Sequence, residues 1–343
     1  MSADQPAPAP APEEAAPPAR PAVHCCGREP ADGAFARPLH LAIGMFDGVH
    51  LGHQAVIRQA VEAARAADGH GAGVLTFDPH PSRVLFPERA TPLLLPLDLR
   101  VARMCALGVD HVFVQAFTRA YARVPADGFV AALRAAFPAL QSLHVGENFR
   151  FGAGRAGDVA TLCRCAAALG VEARVLPREA LAGAAISSSR VREALAAGDI
   201  RAANAMLGAP YLVAGRVVAG NQYGRQWGVP TLNVPWQPEA APRHGVYRVL
   251  LRAEPGGPAQ PGLANYGLRP TVGAAAAPLL EVHLLDPADI PGPGQPVRVA
   301  LLDFIRPEQQ FPSTDALRRQ IAADLAAARA AWAAIPPADW PEL

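Results

Sequence analysis

Between about residues 40 and 205, short apolar runs take turns with helical patterns, and this alternation constrains the fold more than any other feature of the chain. "HLAIGMF" gives way to a helical stretch from Leu51, "GAGVLTF" is followed by a helix near 98 to 106, and "HVFVQAF", "DGFVAALRAAF", "SLHVG", a helix near 158 to 169 and "VEARVLP" continue the series. Strands alternating with helices imply a parallel sheet covered on both faces. Ligands of such sheets bind beyond the carboxyl ends of the strands. Three stretches follow strands directly, Gly44 to His53, Thr76 to Pro81 and Gly146 to Gly152, so all three open on one rim.

After Pro210 the texture becomes β-rich, with "YLVAGRVVAG", "TLNVPW", "GVYRVLLRAE", "GLANYGL", "LLEVHLL" and "VRVALLDFI" separated by turn residues. That pattern reads as a small antiparallel β-barrel. A final helix starts near Ser313, capped by its hydroxyl or that of Thr314, with Leu317, Ile321, Leu325 and Trp332 as the buried stripe. The expected fold is therefore α/β, a Rossmann-like domain with a parallel sheet followed by the barrel and its carboxyl-terminal helix. The expected boundaries are a Pro/Ala-rich disordered tail over 1–37, a first domain over 38–207 and a second over 208–343, two domains being the expectation for 343 residues. No clear strand precedes His40, the tail lacks the apolar stretch of a signal peptide, and no run approaches a membrane span.

Composition matters at one point above all: the chain has no lysine, all 31 basic residues being arginine. A Walker A loop, a Schiff-base enzyme and a protein-kinase site each require one and are excluded. ATP handling through histidine, arginine, backbone amides and metal remains open. A net charge of +1 gives no case for nucleic acid or a membrane surface as partner. The five cysteines, Cys25, Cys26, Cys105, Cys163 and Cys165, form no C-x-x-C pair, and the last two point in different directions on a helix; a reduced cytoplasmic protein is expected.

"GMFDGVHLGHQ", Gly44 to Gln54, places His50 and His53 in the first turn of a helix and nearly on one face. Unpaired backbone N–H groups and the helix dipole favour an anion there, so two imidazoles make a phosphate cradle without lysine. Helix capping or plain solvent exposure accounts for such a pair about as well. Gly48 and Gly52 allow close backbone approach or relieve a tight turn, and Asp47 orients a histidine or caps the helix.

Taken together with "TFDPHP", "GENFRFG" and "ISSSRVR" (Ile186 to Arg192), "HLGH" makes the chain resemble the bacterial bifunctional riboflavin kinase/FAD synthetase family from about residue 40 to about 335. The resemblance implies that the first domain adenylylates FMN with ATP, releasing pyrophosphate. His50, His53 and Arg192 would then act on the reacting phosphates, and Gly44, Phe46, Asp47, Gly48, Gly52, Ser187, Ser188, Ser189 and Arg190 would hold ATP. Asn148, Phe149 and Arg150 would meet the flavin substrate. A helix cap explains "SSSR" equally.

"GRQWGVPTLNV", Gly224 to Val234, with "NYGLRPTVG" and "LEVHLLD" following, resembles the riboflavin kinase part of the same family. The resemblance implies that Gly224, Thr231 and Asn233 bind ATP and that Thr231 and Asn233 also hold Mg²⁺, hydroxyl and amide oxygens being hard ligands suited to magnesium. Glu281 matches the family's catalytic base, and strand alternation points it with His283 away from Leu280 and Val282. Arg269 contacts flavin or phosphate, or braces a turn. Gln222 and Tyr223 stand where relatives place basic residues, and Leu232 replaces the alanine of P-T-A-N. Trp227, Tyr247 and Phe304 are equally suited to flavin contact or core. Two rivals are a single-activity nucleotidyltransferase of another substrate class with the barrel as binding module, and a non-catalytic flavin or nucleotide sensor.

Overall fold

A computed structural model of the chain describes residues 22–25, 36–220, 229–269, 277–287 and 289–341. The chain packs as two compact units. Of the described residues, the first takes those up to Met45 together with Val56–Thr91 and Cys105–Leu176. The second takes Phe46–Ala55, Pro92–Met104 and everything from Pro177 onward.

The first unit is built on six strands, β1 (Ala22–Cys25), β2 (Leu39–Ile43), β3 (Gly71–Asp78), β4 (His111–Ala116), β5 (Leu140–Gly146) and β6 (Glu172–Leu176). Helices α1 (Leu51–Arg65), α2 (Pro81–Leu85), α3 (Leu97–Ala106), α4 (Ala126–Ala136) and α5 (Val159–Ala168) alternate with them along the chain. The sheet order is β1-β4-β3-β2-β5-β6, all neighbours parallel except β1 against β4. Every residue of β2 is buried, as a strand covered on both faces requires. Strand order reverses between β2 and β5, and sheets of this kind take ligands beyond the carboxyl ends of the strands at such a reversal. Strand β1 corrects the expectation of an unpacked tail at Ala22–Cys25, whose backbone pairs with β4 and closes the open edge of the sheet. Cys105 is disulfide-bonded, against the expectation of reduced thiols, whereas Cys163 and Cys165 on α5 are free.

Alternation divides the residues of this sheet between its faces. Leu41, Ile43, Leu143 and Val145 join Phe113, Phe137 and Leu162 in one apolar core. On the other face Ser142 Oγ lies 2.7 Å from both His40 Nδ1 and His144 Nε2, and His40 Nε2 lies 2.9 Å from His70 Nδ1. Burial is the leading cause that lowers the pKa of His40, and it takes His144 down to about 4. Between pH 6.5 and about 4 the unfolded chain therefore binds more protons at these histidines than the folded one, so their effect is to lower stability as pH falls through that window. For His144 the loss reaches about 3 kcal/mol at full protonation, at about 1.36 kcal/mol per pKa unit. Urea midpoints at pH 7 and pH 4.5 check this: the fall between them is expected to shrink in His144→Asn, and an equal fall in both proteins would contradict it.

The second unit carries β7 (Ala180–Leu181), β8 (Ala184–Ala185), α6 (Ser188–Ala197), α7 (Ile200–Leu207), β9 (Tyr211–Arg216), β10 (Leu232–Pro235), β11 (Gly245–Ala253), β12 (Ala259–Arg269), β13 (Ala277–Leu284), β14 (Pro296–Pro307) and α8 (Thr314–Ala333). Six of these strands form one antiparallel sheet, β10-β13-β12-β11-β14-β9. Just past β9, Val218 bridges to Asn233 on β10, its N–H donating to the Asn233 carbonyl at 2.8 Å. The two ends of the sheet thus meet and curl it into the expected barrel. Tyr211, Val213, Tyr247, Leu280, Val282, Val299 and Leu301 fill the interior.

Ser313 caps α8 by accepting from the Ala316 N–H at 3.2 Å, and Ala328 and Trp332 pack on Val246, Leu250, Leu263 and Ala300 outside the barrel. The expected stripe holds at Trp332. Leu317, Ile321 and Leu325 are half-buried instead and face a cavity, because the first half of the helix overhangs the barrel wall. Packing also divides the chain elsewhere than at 207/208: Val191, Leu195, Ile200, Met206 and Leu207 share the barrel's apolar core, so α6 and α7 belong to the second unit.

Candidate functional site

The loop after β2 begins with the Gly44 N–H donating to Leu75 O at 3.1 Å and Thr76 Oγ1 donating to Met45 O at 3.0 Å. Beyond it, Phe46, Gly48 and Val49 have φ of 48, 81 and 50°, a run of left-handed backbone that turns the chain sharply into α1. A Cβ at Gly48 would lie 2.7 Å from Leu94 Cδ1, so this turn needs glycine. His50 Nδ1 accepts from the His53 N–H at 3.3 Å, and the rings stack with centroids 3.5 Å apart, Phe46 meeting His53 edge-on. The His50 ring lies against Gly52, where a Cβ would stand 3.4 Å from it, in ordinary contact.

Burial lowers the pKa of His50 to about 4 and that of His53 well below its ordinary value, His50 adding to the second shift. Both rings are neutral near pH 7. Since His50 Nδ1 accepts, its proton sits on Nε2, which is a donor; His53 Nδ1 is buried without a partner. The pair therefore presents hydrogen bonds rather than charge.

Asp47 neither orients a histidine nor caps α1. Its carboxylate is buried, accepts from the Leu94 N–H at 2.9 Å and from Arg192 Nη2 at 2.6 Å, while its carbonyl accepts from Ser188 Oγ at 3.0 Å. Burial raises its pKa and Arg192 opposes the shift. The structure thus joins "GMFDGVHLGH" to "ISSSRVR" across more than 140 positions of sequence. Several of the expected phosphate groups are engaged otherwise. Arg192 Nε donates to Pro92 O at 2.6 Å, Arg190 Nη1 donates to Ala184 O and Ala185 O at 2.7 Å each, and Ser187 caps α6 by accepting from the Arg190 N–H at 3.3 Å. Ser189 is exposed on the first turn of α6. A short positively polarised helix end, held against the histidine loop through Asp47, is what this arrangement offers an anion.

In the loop after β5, Phe149 stacks on Phe151 with centroids 5.6 Å apart, both near Phe129, so its ring is a core anchor of the loop. Asn148 and Arg150 are exposed, and Arg150 lies 3.8 Å from Asp158, the cap of α5.

A second candidate site lies wholly in the barrel unit, a cavity of about 1190 Å³. Thr231, just before β10, Asn233 on β10 and Glu281 with His283 on β13 all line it, while Leu280 and Val282 point into the core. His283 Nδ1 donates to Pro230 O at 2.8 Å and so pins the backbone ahead of Thr231. Asn233 is buried with its Oδ1 unpartnered, and a Cβ at Gly220 would run into its amide. An orphaned hard oxygen on the same cavity wall as a hydroxyl and a carboxylate fits an oxygen-seeking cation such as Mg²⁺. Leu232 packs in the core cluster.

No sequence motif announces a role for the rest of this wall: Asn265 on β12, Glu308, Phe311 and the Arg306–Asp324 pair that ties β14 to α8 at 2.8 Å. Of these, Asn265 was legible in principle, two residues from Leu263 on an alternating strand. Tyr247 and Phe304 pack on each other away from the cavity, and Phe311 is its aromatic wall among the described residues. Arg269 ends β12. Gly224, Gln222, Tyr223, Trp227 and the end of "NYGLRPTVG" lie outside the described residues.

Two family models match the chain, one described as FAD synthetase over residues 33–190 and one described as riboflavin kinase over 207–332. A bifunctional riboflavin kinase/FMN adenylyltransferase of Escherichia coli (strain K12) is 37% identical over 308 residues, covering 90% of this chain and 95% of that protein. One of Pseudomonas fluorescens is 39% identical over 299 residues, covering 86% and 94%. A crystal structure of a Streptococcus pneumoniae protein described as a macrolide-efflux protein superposes with a TM-score of 0.74 at 30% identity, over 84% of this chain and 93% of that one. Among the described residues here, no helix is long and apolar enough to cross a membrane.

Proposed function

The chain belongs to the bifunctional riboflavin kinase/FMN adenylyltransferase family, and from that premise we propose how its residues divide the two reactions. The barrel cavity phosphorylates riboflavin with ATP, and the histidine loop with the α6 terminus adenylylates the resulting FMN to FAD.

In the barrel the attacking group is an alcohol, so a base is needed. Glu281 takes the proton of the terminal ribityl hydroxyl as that oxygen bonds to the γ-phosphorus and ADP leaves. Thr231 and Asn233 would hold Mg²⁺, the unpartnered Asn233 oxygen being the observation that supports this. When bound, the ion supplies charge neutralisation on the phosphate oxygens. At the histidine loop the nucleophile is the FMN phosphate, already an anion, and no base is required. His50 Nε2–H and the free amides at the start of α6 donate to ATP phosphate oxygens, and Asp47 acts through Arg192 by fixing the two motifs together. Arg192 here is a positioning residue, as is Arg190, which holds the carbonyls of Ala184 and Ala185. Asn148 and Arg150 remain the polar candidates for flavin contact in their loop. Reliance on ATP as both phosphate and adenylyl donor supports a cytoplasmic location.

The observation that carries this reading is the convergence of Thr231, Asn233 and Glu281 on one cavity, for which a nucleotidyltransferase with a mere binding module has no use. Incubation with riboflavin, ATP and Mg²⁺, followed by chromatography of the flavins, is expected to show FMN and then FAD. Conversion of neither riboflavin nor supplied FMN would overturn this reading: release of pyrophosphate from ATP with another acceptor would then favour the nucleotidyltransferase of another substrate class, and binding without turnover the sensor.

A further inference from the structure

Asn233, Glu281 and Asn265 are register partners across three strands, Asn233 opposite Glu281 in the β10–β13 ladder and Asn265 opposite Glu281 in the β13–β12 ladder. Residues directly opposite in antiparallel strands point to one face, with strands about 4.8 Å apart, so the three form a row roughly 10 Å long. All three line the barrel cavity. The row has two unlike ends. At one, Asn233 is buried with an oxygen unpartnered. At the other, Asn265 Nδ2 donates to Glu308 Oε1 at 3.3 Å, and that carboxylate lies over Gly267, where a Cβ would run into it.

We propose that Asn265 and Glu308 are the acceptor-side clamp of this site, binding the internal hydroxyls of the polyhydroxylated chain of the flavin so that its terminal hydroxyl reaches Glu281. The inference rests on the kinase reading above and adds a direction to it. A carboxylate accepts two hydrogen bonds and a side-chain amide both donates and accepts, which complements neighbouring hydroxyls. The same carboxylate repels a triphosphate, so the nucleotide is kept to the Asn233 end. Glu281, one strand spacing from each neighbour, stands between donor and acceptor. Gly267 belongs to the device because its missing side chain leaves the place that the Glu308 carboxylate occupies.

Riboflavin phosphorylation by the full chain at saturating ATP and Mg²⁺ tests it. Glu308→Gln and Asn265→Ala are each expected to raise KM for riboflavin by about tenfold or more, the usual loss for a hydrogen bond to a charged or buried partner, with kcat and KM for ATP little changed. Gly267→Ala, which displaces the carboxylate without removing it, is expected to act in the same direction. A flavin whose side chain is a hydroxypentyl group, with the terminal hydroxyl alone, gives the second readout. Wild type should disfavour it by about tenfold in kcat/KM, while Glu308→Gln and Asn265→Ala should discriminate much less. Unchanged KM with retained discrimination, or a fall in kcat alone, overturns the clamp. Adenylylation of supplied FMN by the same variants reports their folding, and a wild type that phosphorylates no flavin at all overturns the kinase reading instead.

Discussion

Replacing Glu281 by alanine is expected to cut riboflavin phosphorylation by roughly 10²- to 10⁴-fold, the range for losing a positioned general base, while supplied FMN is still converted to FAD. Glu281→Gln should fall nearly as far, since it keeps the shape and the hydrogen-bonding reach but cannot take the proton. The effect belongs in kcat, because the alcohol and the nucleotide are held by the neighbours of Glu281 in its row and by Thr231. A Glu281→Gln enzyme with more than a tenth of wild-type kcat would remove the base from this mechanism.

The converse result is expected at the histidine loop. His50→Ala with His53→Ala should slow adenylylation of FMN by roughly 10³-fold, one preorganised donor being worth about 10²- to 10³-fold and the stacked partner holding it in place. Riboflavin phosphorylation should survive. That survival is informative because residues Phe46–Ala55 pack in the same unit as the barrel, so a collapsed loop would be felt there too. Because both rings are neutral, adenylylation is also expected to stay level between pH 6.5 and 8, where free imidazoles would titrate. Loss of both steps to the same extent in both sets of variants, with normal folding, would refute the division of labour.

Much of this was legible in the sequence because period and punctuation are local. The alternation up to residue 205 gave the parallel sheet, the turn-separated β runs gave the barrel, and alternation alone sent Glu281 and His283 to one face and Leu280 and Val282 to the other. What was not legible was pairing at a distance. Nothing near Asp47 says that its partner is Arg192, and a motif read as phosphate ligands turns out to place its guanidinium groups on a buried carboxylate and on carbonyls. The row from Asn233 to Asn265 depends on ladder register, which three separate segments fix only together. Strand β1 escaped for a related reason: four residues in a Pro/Ala-rich stretch carry too little pattern to announce an edge strand.

The sharing of one apolar core by α6, α7 and the barrel has a consequence for how such an enzyme can be taken apart. Excising the kinase at residue 208 would strip Ile200, Met206 and Leu207 from the apolar surfaces they now cover. Two chemical jobs that look modular on a linear map are, in three dimensions, anchored in one mutual foundation. Whatever inheritance joined them has made the seam between activities different from the seam between folded bodies.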